Sequence, residues 1–456
     1  MAPALSRRRL LTGACAAGLL GSARAADGLR IAPFRFDVTP PPGHPLCGGW
    51  ITPAGQPDDP LQAIGYVLLG LDGGPVVVCA VDWTGLLNEA HLVWRQRLAE
   101  AAGTTPDRVA VQCVHQHDAP FVCLETQRLL DGLNAGLKNV DTAFFETCLE
   151  RGAAAVCAAL AQARPLTHIA HAEARVEKIA GNRRLLLGPD GKVKKMRGSS
   201  CRDPELTALP EGLIDPLLKT VAFYSGDEKV VACHYYACHP MSHYGKGKVS
   251  SDFPGLARQR RQQEEPGCTQ IYFTGAAGNI AAGKYNDGSP EARVALTDRL
   301  HRAMATAAAG LRPEPLTAAV WKTHAFVPEA NPAFTLASET ALMENPKNAP
   351  ANRIRPAMRV AWLKRLQRRE PIVLSALHLN GAAIVHLPAE SFVEYQLRAQ
   401  ALRPGGFVAT AAYGDGGPWY IPTVEAFPQG GYEVSVANAA PSMDPALTAG
   451  LERLLG

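Results

Sequence analysis

The sequence predicts an α/β fold: one large domain in which a mixed, largely buried β-sheet is flanked by helices. Three observations carry this expectation. Short apolar runs recur along the chain, helix-period segments alternate with them, and chemically capable side chains gather directly after the runs. Short apolar runs rich in β-branched residues are the mark of strands covered on both faces. Their alternation with helices is the pattern of an α/β layer architecture.

The strand candidates are Pro75 to Val81, Val109 to Val114, Lys229 to Cys238, Gln270 to Thr274, Ala382 to Leu387 and Phe407 to Ala412. Helices are expected over Asn88 to Ala102, Thr142 to Ala163, Pro290 to Gly310 and Pro356 to Arg369. Proline opens the last two, a position where its missing N–H costs nothing. Asn331 to Arg355, rich in Pro, Asn and Ala, reads as a long connection. No internal repeat is visible at the spacing of solenoids. The basic stretch Arg359 to Arg369 also carries Ala361, Trp362, Leu363 and Leu366, so it reads as a helix docked by one face with its arginines solvated.

The 456 residues include 46 Lys+Arg and 42 Asp+Glu, a formal charge of +4. Residues 1–25 hold Arg7, Arg8, Arg9 and Arg24 and no acid, so without them 42 basic groups face 42 acidic ones. A neutral remainder has no charge excess to drive counterion release, which argues against a nucleic-acid partner. Hydrophobic content of 47% with 19% charged residues excludes a disordered chain.

Met1 to Ala25 has a basic start, a short apolar run from Ala14 to Leu20 and a small-x-small end at Ala23-Arg24-Ala25, the parts of an export signal. Paired arginines directly before Leu10-Leu11 make it similar to a twin-arginine signal, which implies the twin-arginine export machinery as a partner and a periplasmic or secreted location. Cys15 is a poor lipidation site because Thr12 stands where a large aliphatic residue is expected. No later segment is apolar over the length of a membrane span. Ten cysteines lie between Cys47 and Cys268, a number that permits one or two bridges in an exported protein. Their apolar surroundings and the absence of zinc-ribbon spacing favour buried small hydrophobes instead. Cys113 and Cys238 adjoin histidine clusters, but burial in strands would raise their thiol pKa and keep them inert. Neither a phosphate loop nor a dinucleotide fingerprint is present.

Four clusters follow predicted strands, where open α/β folds place their sites. The first is Val114-His115-Gln116-His117-Asp118-Ala119-Pro120, whose histidines at i and i+2 on extended backbone would address one ion or substrate. The second is Cys238-His239-Pro240-Met241-Ser242-His243 with Ser250-Ser251-Asp252-Phe253-Pro254-Gly255; a histidine before proline has a restricted backbone, which suits a fixed ligand. The third is Val385-His386-Leu387-Pro388-Ala389-Glu390. The fourth runs from Gly414-Asp415-Gly416-Gly417 through Trp419-Tyr420-Ile421-Pro422-Thr423 to Gly431-Tyr432-Glu433, with glycines expected to supply unusual dihedrals.

In this order, with Phe36-Asp37-Val38-Thr39-Pro40-Pro41-Pro42-Gly43, Asp59-Pro60-Leu61 and Ala80-Val81-Asp82, the chain resembles the neutral (non-lysosomal) ceramidase family over nearly all of residues 26–456. The resemblance implies a catalytic domain over 26–456 after a signal at 1–25, and an α/β fold like the family's catalytic domain. It also implies one zinc ion held by His115, His239, Glu390 and Tyr420, a donor set that leaves room for water. His117 would donate to the oxyanion or shuttle a proton. Gly181-Asn182-Arg183 is similar to the family's Asn-Arg element and makes Arg183 a residue that orients substrate or stabilises charge. The activity so implied is hydrolysis of an amide of a lipid or small N-acyl compound by metal-activated water.

Two departures qualify the substrate. Where the family has Gly-Asp-Val-Ser-Pro, this chain has Gly278-Asn279-Ile280-Ala281-Ala282, so no mechanism needing that serine can run. The chain also reaches Gly456 soon after Tyr432, without length for the family's C-terminal β-sandwich. A catalytically silent binding protein and a zinc esterase acting on a non-ceramide substrate are therefore the alternatives.

Overall fold

The computed structural model describes residues 28–456; the export signal expected at 1–25 lies outside the described residues. The fold class is α/β as expected, but the mixed sheet is divided among several. The first has the strand order Val109–Cys113, Val76–Val81, Gln62–Leu69, Arg30–Asp37, Arg164–Pro165. The second has Thr269–Thr274, Glu228–Tyr236, Leu217–Ser225, His168–Arg175, Glu314–Pro315, and the third Phe407–Ala411, Ala382–His386, Ile372–Leu379, Ala319–Phe326. All three share one plan. Each is antiparallel except for a single parallel pair at one edge. A parallel pair needs a crossover, and helices Glu89–Ala102, Asp252–Glu264 and Val393–Ala401 lie in the three crossovers.

Alternation along the strands explains how the sheets assemble. Val76, Val78 and Ala80 join a core shared with Tyr66, Phe223, Tyr235, Ile271, Leu377, Ile384 and Ala409, drawn from all three sheets. Val77, Cys79 and Val81 point the other way, into the core that includes Trp94, Leu98 and Ala257 of the crossover helices. Strands covered on both faces read as unbroken apolar runs, which is why these were visible in the sequence. Of the strands not anticipated, Arg30–Asp37 and His168–Arg175 carry polar residues on one face, whereas Gln62–Leu69 is as apolar and buried as those that were.

The predicted strand ends agree with the structure to within two residues. The segment expected to be a connection does not: it holds a helix at Leu336–Glu344, started by a Thr335–Ser338 capping box, and the first turn of another at Ala351–Gln367. Pro356 accordingly lies inside that helix rather than at its start. All ten cysteines among the described residues are free, and the eight that are buried serve as small core residues; Cys157 is exposed and Cys201 half-buried. No helix among the described residues is long and apolar enough to cross a membrane.

The shared inner core should dominate stability. Phe223 is fully buried with its ring centroid 5.1 Å from that of Tyr66. Phe223→Ala is expected to cost about 3–5 kcal/mol in urea unfolding, whereas the exposed Val294→Ala should cost under about 0.5 kcal/mol. A loss below about 1 kcal/mol for Phe223→Ala would contradict the shared core.

Candidate functional site

The edge strands of the three sheets end together. Cys113 N–H donates to the Tyr413 carbonyl (2.8 Å), Ala412 N–H to the Thr274 carbonyl (2.8 Å), and the Thr274 hydroxyl to the Val114 carbonyl (2.7 Å). The chain leaving each strand therefore enters one small volume, and the four histidine- and acid-bearing clusters meet there.

Each predicted residue is held by local structure. His115 comes after the strand end and has φ 77°, so it is not the extended residue that the His-x-His pattern suggested. Its backbone N–H donates to the Trp83 carbonyl at 2.9 Å, and the Thr84 hydroxyl pins the following turn through the Gln116 and Ala119 carbonyls. His239 donates its backbone N–H to the Ile280 carbonyl at 3.0 Å, while Ser242 N–H donates to the Asp252 carboxylate at 3.0 Å, joining the two halves of the second cluster. Asp59 accepts from both Ser250 and Ser251, and Asp82 pairs with Arg258 at 3.0 Å, so these motif acids hold loops rather than face the site. Glu390 and Tyr420 are partners in a short parallel ladder. Gly278 lies behind them: a Cβ there would sit 2.2 Å from the Glu390 carbonyl oxygen.

In the fourth cluster Gly431 (φ 90°) takes a left-handed conformation as expected, but so do the non-glycine Trp419 (φ 60°) and, just before the cluster, Tyr413 (φ 62°). Gly417 serves close approach instead, since a Cβ would meet Asn88 Oδ1 at 2.3 Å. Five of the eleven non-glycine residues with positive φ are at the site: Cys47, His115, Ala389, Tyr413 and Trp419. Each such conformation costs on the order of 1–3 kcal/mol and persists only where the surroundings impose it.

The side-chain geometry is compact. His115 Nδ1 faces the Thr84 carbonyl at 2.6 Å and His239 Nδ1 the Ala277 carbonyl at 2.7 Å. In the neutral rings these contacts place the proton on Nδ1 and leave Nε2 as a lone pair. The two Nε2 atoms are 3.2 Å apart, and Glu390 Oε2 lies 3.3 Å from one and 3.1 Å from the other. The Tyr420 hydroxyl is 3.4 Å from His239 Nε2. Glu390 Oε2 is buried without a hydrogen-bond partner. Burial pushes the Glu390 carboxyl up, but the two imidazoles outweigh it and hold the carboxyl well below its usual range. Burial lowers His239, and it raises the Tyr420 phenol, with Glu390 adding to the rise and Arg183 opposing it.

Three lone pairs converging without protons between them call for a cation. Imidazole nitrogen and carboxylate oxygen are donors that zinc accepts, and ligand atoms around a tetrahedral zinc with bonds of about 2.0 Å stand roughly 3.3 Å apart. The observed separations fit that group. The ring nitrogens of His115, His117 and His239 also lie within 4.8 Å of one another and form a second set that could hold a metal.

His117 stands at the edge of the cluster, its ring centroid 5.1 Å from that of His115. Its Nδ1 is 3.4 Å from the Cys47 thiol, and its buried Nε2 has no partner. Burial first, then the neighbouring His115 and His239, keeps its pKa well below the usual histidine value, so the ring is neutral. Arg183 is buried, with Nη1 3.4 Å from the Tyr420 hydroxyl and Nε 3.4 Å from Glu433, which also binds Arg184 at 2.8 Å. A cavity of about 450 Å³ opens onto these groups, walled by Trp50, Phe121, Tyr244, Trp419 and Tyr432. The sequence did not single out Cys47, Trp50 or Tyr413, which come from loops without a motif. Ala281 is buried in the strand behind His239 and is not among the cavity walls. Burial holds the Cys113 and Cys238 thiols high, as expected for inert cysteines.

No family model matches the sequence, and no curated protein does. Among solved structures, neutral ceramidase from Pseudomonas aeruginosa superposes with a TM-score of 0.68 at 14% identity, over 94% of this chain and 74% of that one. A ceramidase complexed with C2 gives 0.67 at 14% identity with the same coverage. The chain therefore has a neutral-ceramidase-like fold.

Proposed function

We propose that this chain is an exported, zinc-dependent hydrolase that cleaves an N-acyl amide bond. The observation that supports it most is the meeting of His115 Nε2, His239 Nε2, Glu390 Oε2 and the Tyr420 hydroxyl at separations of 3.1–3.4 Å. The fold's likeness to ceramidase directs the reading to amide substrates. His115, His239, Glu390 and Tyr420 would hold the metal; His117, its Nδ1 3.4 Å from the Cys47 thiol and its Nε2 without a partner, is assigned to proton transfer instead. Zinc in such a site supplies a Lewis acid that polarises a carbonyl and acidifies water toward neutral pH.

The chain's own groups do the rest. Arg183, its charge balanced by Glu433, faces the Tyr420 hydroxyl and offers its remaining N–H groups to the oxygen that gains charge as the amide is attacked. With the Cys47 thiol as donor to His117 Nδ1, the proton of the neutral ring resides on Nε2. That N–H donates to the oxyanion or passes its proton to the departing nitrogen. Trp50, Phe121, Trp419 and Tyr432 give the rest of the cavity an aromatic surface against which an acyl chain can pack. The hydroxyl missing at Ala281 is not required by this scheme, because every group it uses is present.

Glu390→Gln should lose bound zinc and reduce kcat/KM beyond the roughly 10–100-fold typical of removing an outer partner of a metal ligand. Full zinc occupancy with unchanged turnover would overturn the assignment, and robust chelator-sensitive hydrolysis by the unmodified chain would dispose of the silent-binder alternative. Cys47→Ala should lower kcat about tenfold, a part of what a general acid contributes, with KM little changed, and Cys47→Ser should restore most of it. Equal loss in both would mean that Cys47 only fills space. For export, replacing Arg7, Arg8 and Arg9 by lysine should retain the protein in the cytoplasm, as fractionation would show; unaltered export would remove the twin-arginine reading.

A further inference from the structure

Arg355 is a cation that the chemistry above does not use. It lies in the first turns of helix Ala351–Gln367, half-buried, with its guanidinium carbon 5.3 Å from the Trp50 ring centroid and 5.5 Å from that of Trp419. Both tryptophans wall the cavity. Two rings at once hold the guanidinium plane by cation–π contact and leave its N–H edge free. No carboxylate pairs with it among the described residues, and its buried Nε has no partner. Its neighbour one turn on, Arg359, by contrast takes Glu339 at 3.5 Å. Burial, with Glu390, raises the Tyr432 phenol and the Cys47 thiol, and the charge of Arg355 opposes that rise at both. The Tyr432 ring is contacted by Arg183, whose guanidinium carbon is 5.9 Å from its centroid. Arg183 shares the Glu433 carboxylate with Arg184, whereas no carboxylate pairs with Arg355 among the described residues.

Arg355 is not itself a lining residue, but an unpaired guanidinium held against two aromatic walls of the cavity can receive a planar anion through two parallel N–H···O bonds. We propose that Arg355 is a specificity residue that binds the carboxylate of the substrate, so that the compounds cleaved are N-acyl amino acids, with the amide at the cluster of His115, His239 and Glu390 and the carboxylate at the Trp50–Trp419 wall. This rests on the amide-hydrolase reading. It differs from that reading in requiring a negative charge on the amine portion of the substrate, which a neutral N-acyl lipid lacks.

The test compares N-octanoylglycine with its uncharged counterpart N-octanoylglycinamide on the zinc-loaded protein and on Arg355→Met and Arg355→Lys. The unmodified chain should favour the carboxylate in kcat/KM by about tenfold or more, the order expected for hydrogen bonds to a charged group. Arg355→Met should bring that ratio close to one, mainly through KM, and Arg355→Lys should restore part of it. Equal rates on both compounds in the unmodified chain, or an unchanged ratio in Arg355→Met, would overturn the carboxylate site while leaving amide hydrolysis standing. If neither compound is cleaved, calorimetry on the same pair decides: binding of N-octanoylglycine that Arg355→Met weakens tenfold supports the site and counts against the hydrolase, whereas equal binding of acid and amide removes the site.

Discussion

The site depends on three hydrogen bonds at one end of the inner core. Thr274, Ala412–Tyr413 and Cys113–Val114 belong to the edge strands of different sheets, and their mutual bonds bring three chain segments to one point. Everything that could hold a metal is within a few residues of those bonds: His115 two residues beyond Cys113, and Glu390 behind Tyr413, whose backbone N–H donates to the Ala389 carbonyl at 3.0 Å. His239 is connected through the strand paired with Thr269–Thr274, and the Tyr413 hydroxyl reaches its Nδ1 at 3.2 Å. A mixed sheet ending in a parallel edge makes such a meeting available, because only parallel neighbours release their following loops at the same end.

The strain at the site follows from the same arrangement. A chain that leaves a strand and must present a side chain within a few residues has no room for a regular turn. His115, Ala389, Tyr413 and Trp419 take left-handed conformations in which Ala389 and Trp419 immediately precede the paired Glu390 and Tyr420. The surrounding backbone bonds, such as Glu390 N–H to the Trp419 carbonyl at 2.9 Å, hold those conformations in place. Four side chains of different ancestry in the sequence are thereby fixed before any ligand arrives, which is the condition for tight and selective coordination.

How much of this could be read from the sequence depended on what each residue does. Most strands covered on both faces announced themselves as apolar runs, Gln62–Leu69 being an exception, and His115, His117, His239, Glu390 and Tyr420 were found because they stand just beyond such runs or within an extended family pattern. The division into three sheets was not legible, since the period-two pattern says that a strand has two covered faces without saying what covers them. Helix Leu336–Glu344 was missed because Pro and Asn on either side read as a loop, while the signal that starts it is a local Thr335–Ser338 exchange. Cys47, Trp50 and Arg355 were missed for a different reason: each acts through a partner far along the chain, His117 for Cys47 and the Trp50–Trp419 pair for Arg355, and no spacing records such contacts.

Charge balance shows why a neutral chain can still hold an electropositive cavity. Without residues 1–25 the acids and bases cancel in number, but cancellation over a surface says nothing about one cleft. Around the cluster, Arg183 and Arg184 face Glu390 and Glu433, two against two, and the nearby Asp118 has Arg293 at 3.7 Å. Among the described residues no acid meets Arg355, and a divalent ion, were the cluster to hold one, would add more positive charge. In a cavity of about 450 Å³ with aromatic walls, that surplus is poorly screened and its field is focused on whatever enters. An uncharged amide gains little from it and would leave Arg355 desolvated without a partner, a cost that rises as the substrate fills the cavity. A carboxylate placed against Trp50 and Trp419 removes that cost, so the same apolar walls that make an unpaired guanidinium expensive make a paired one selective.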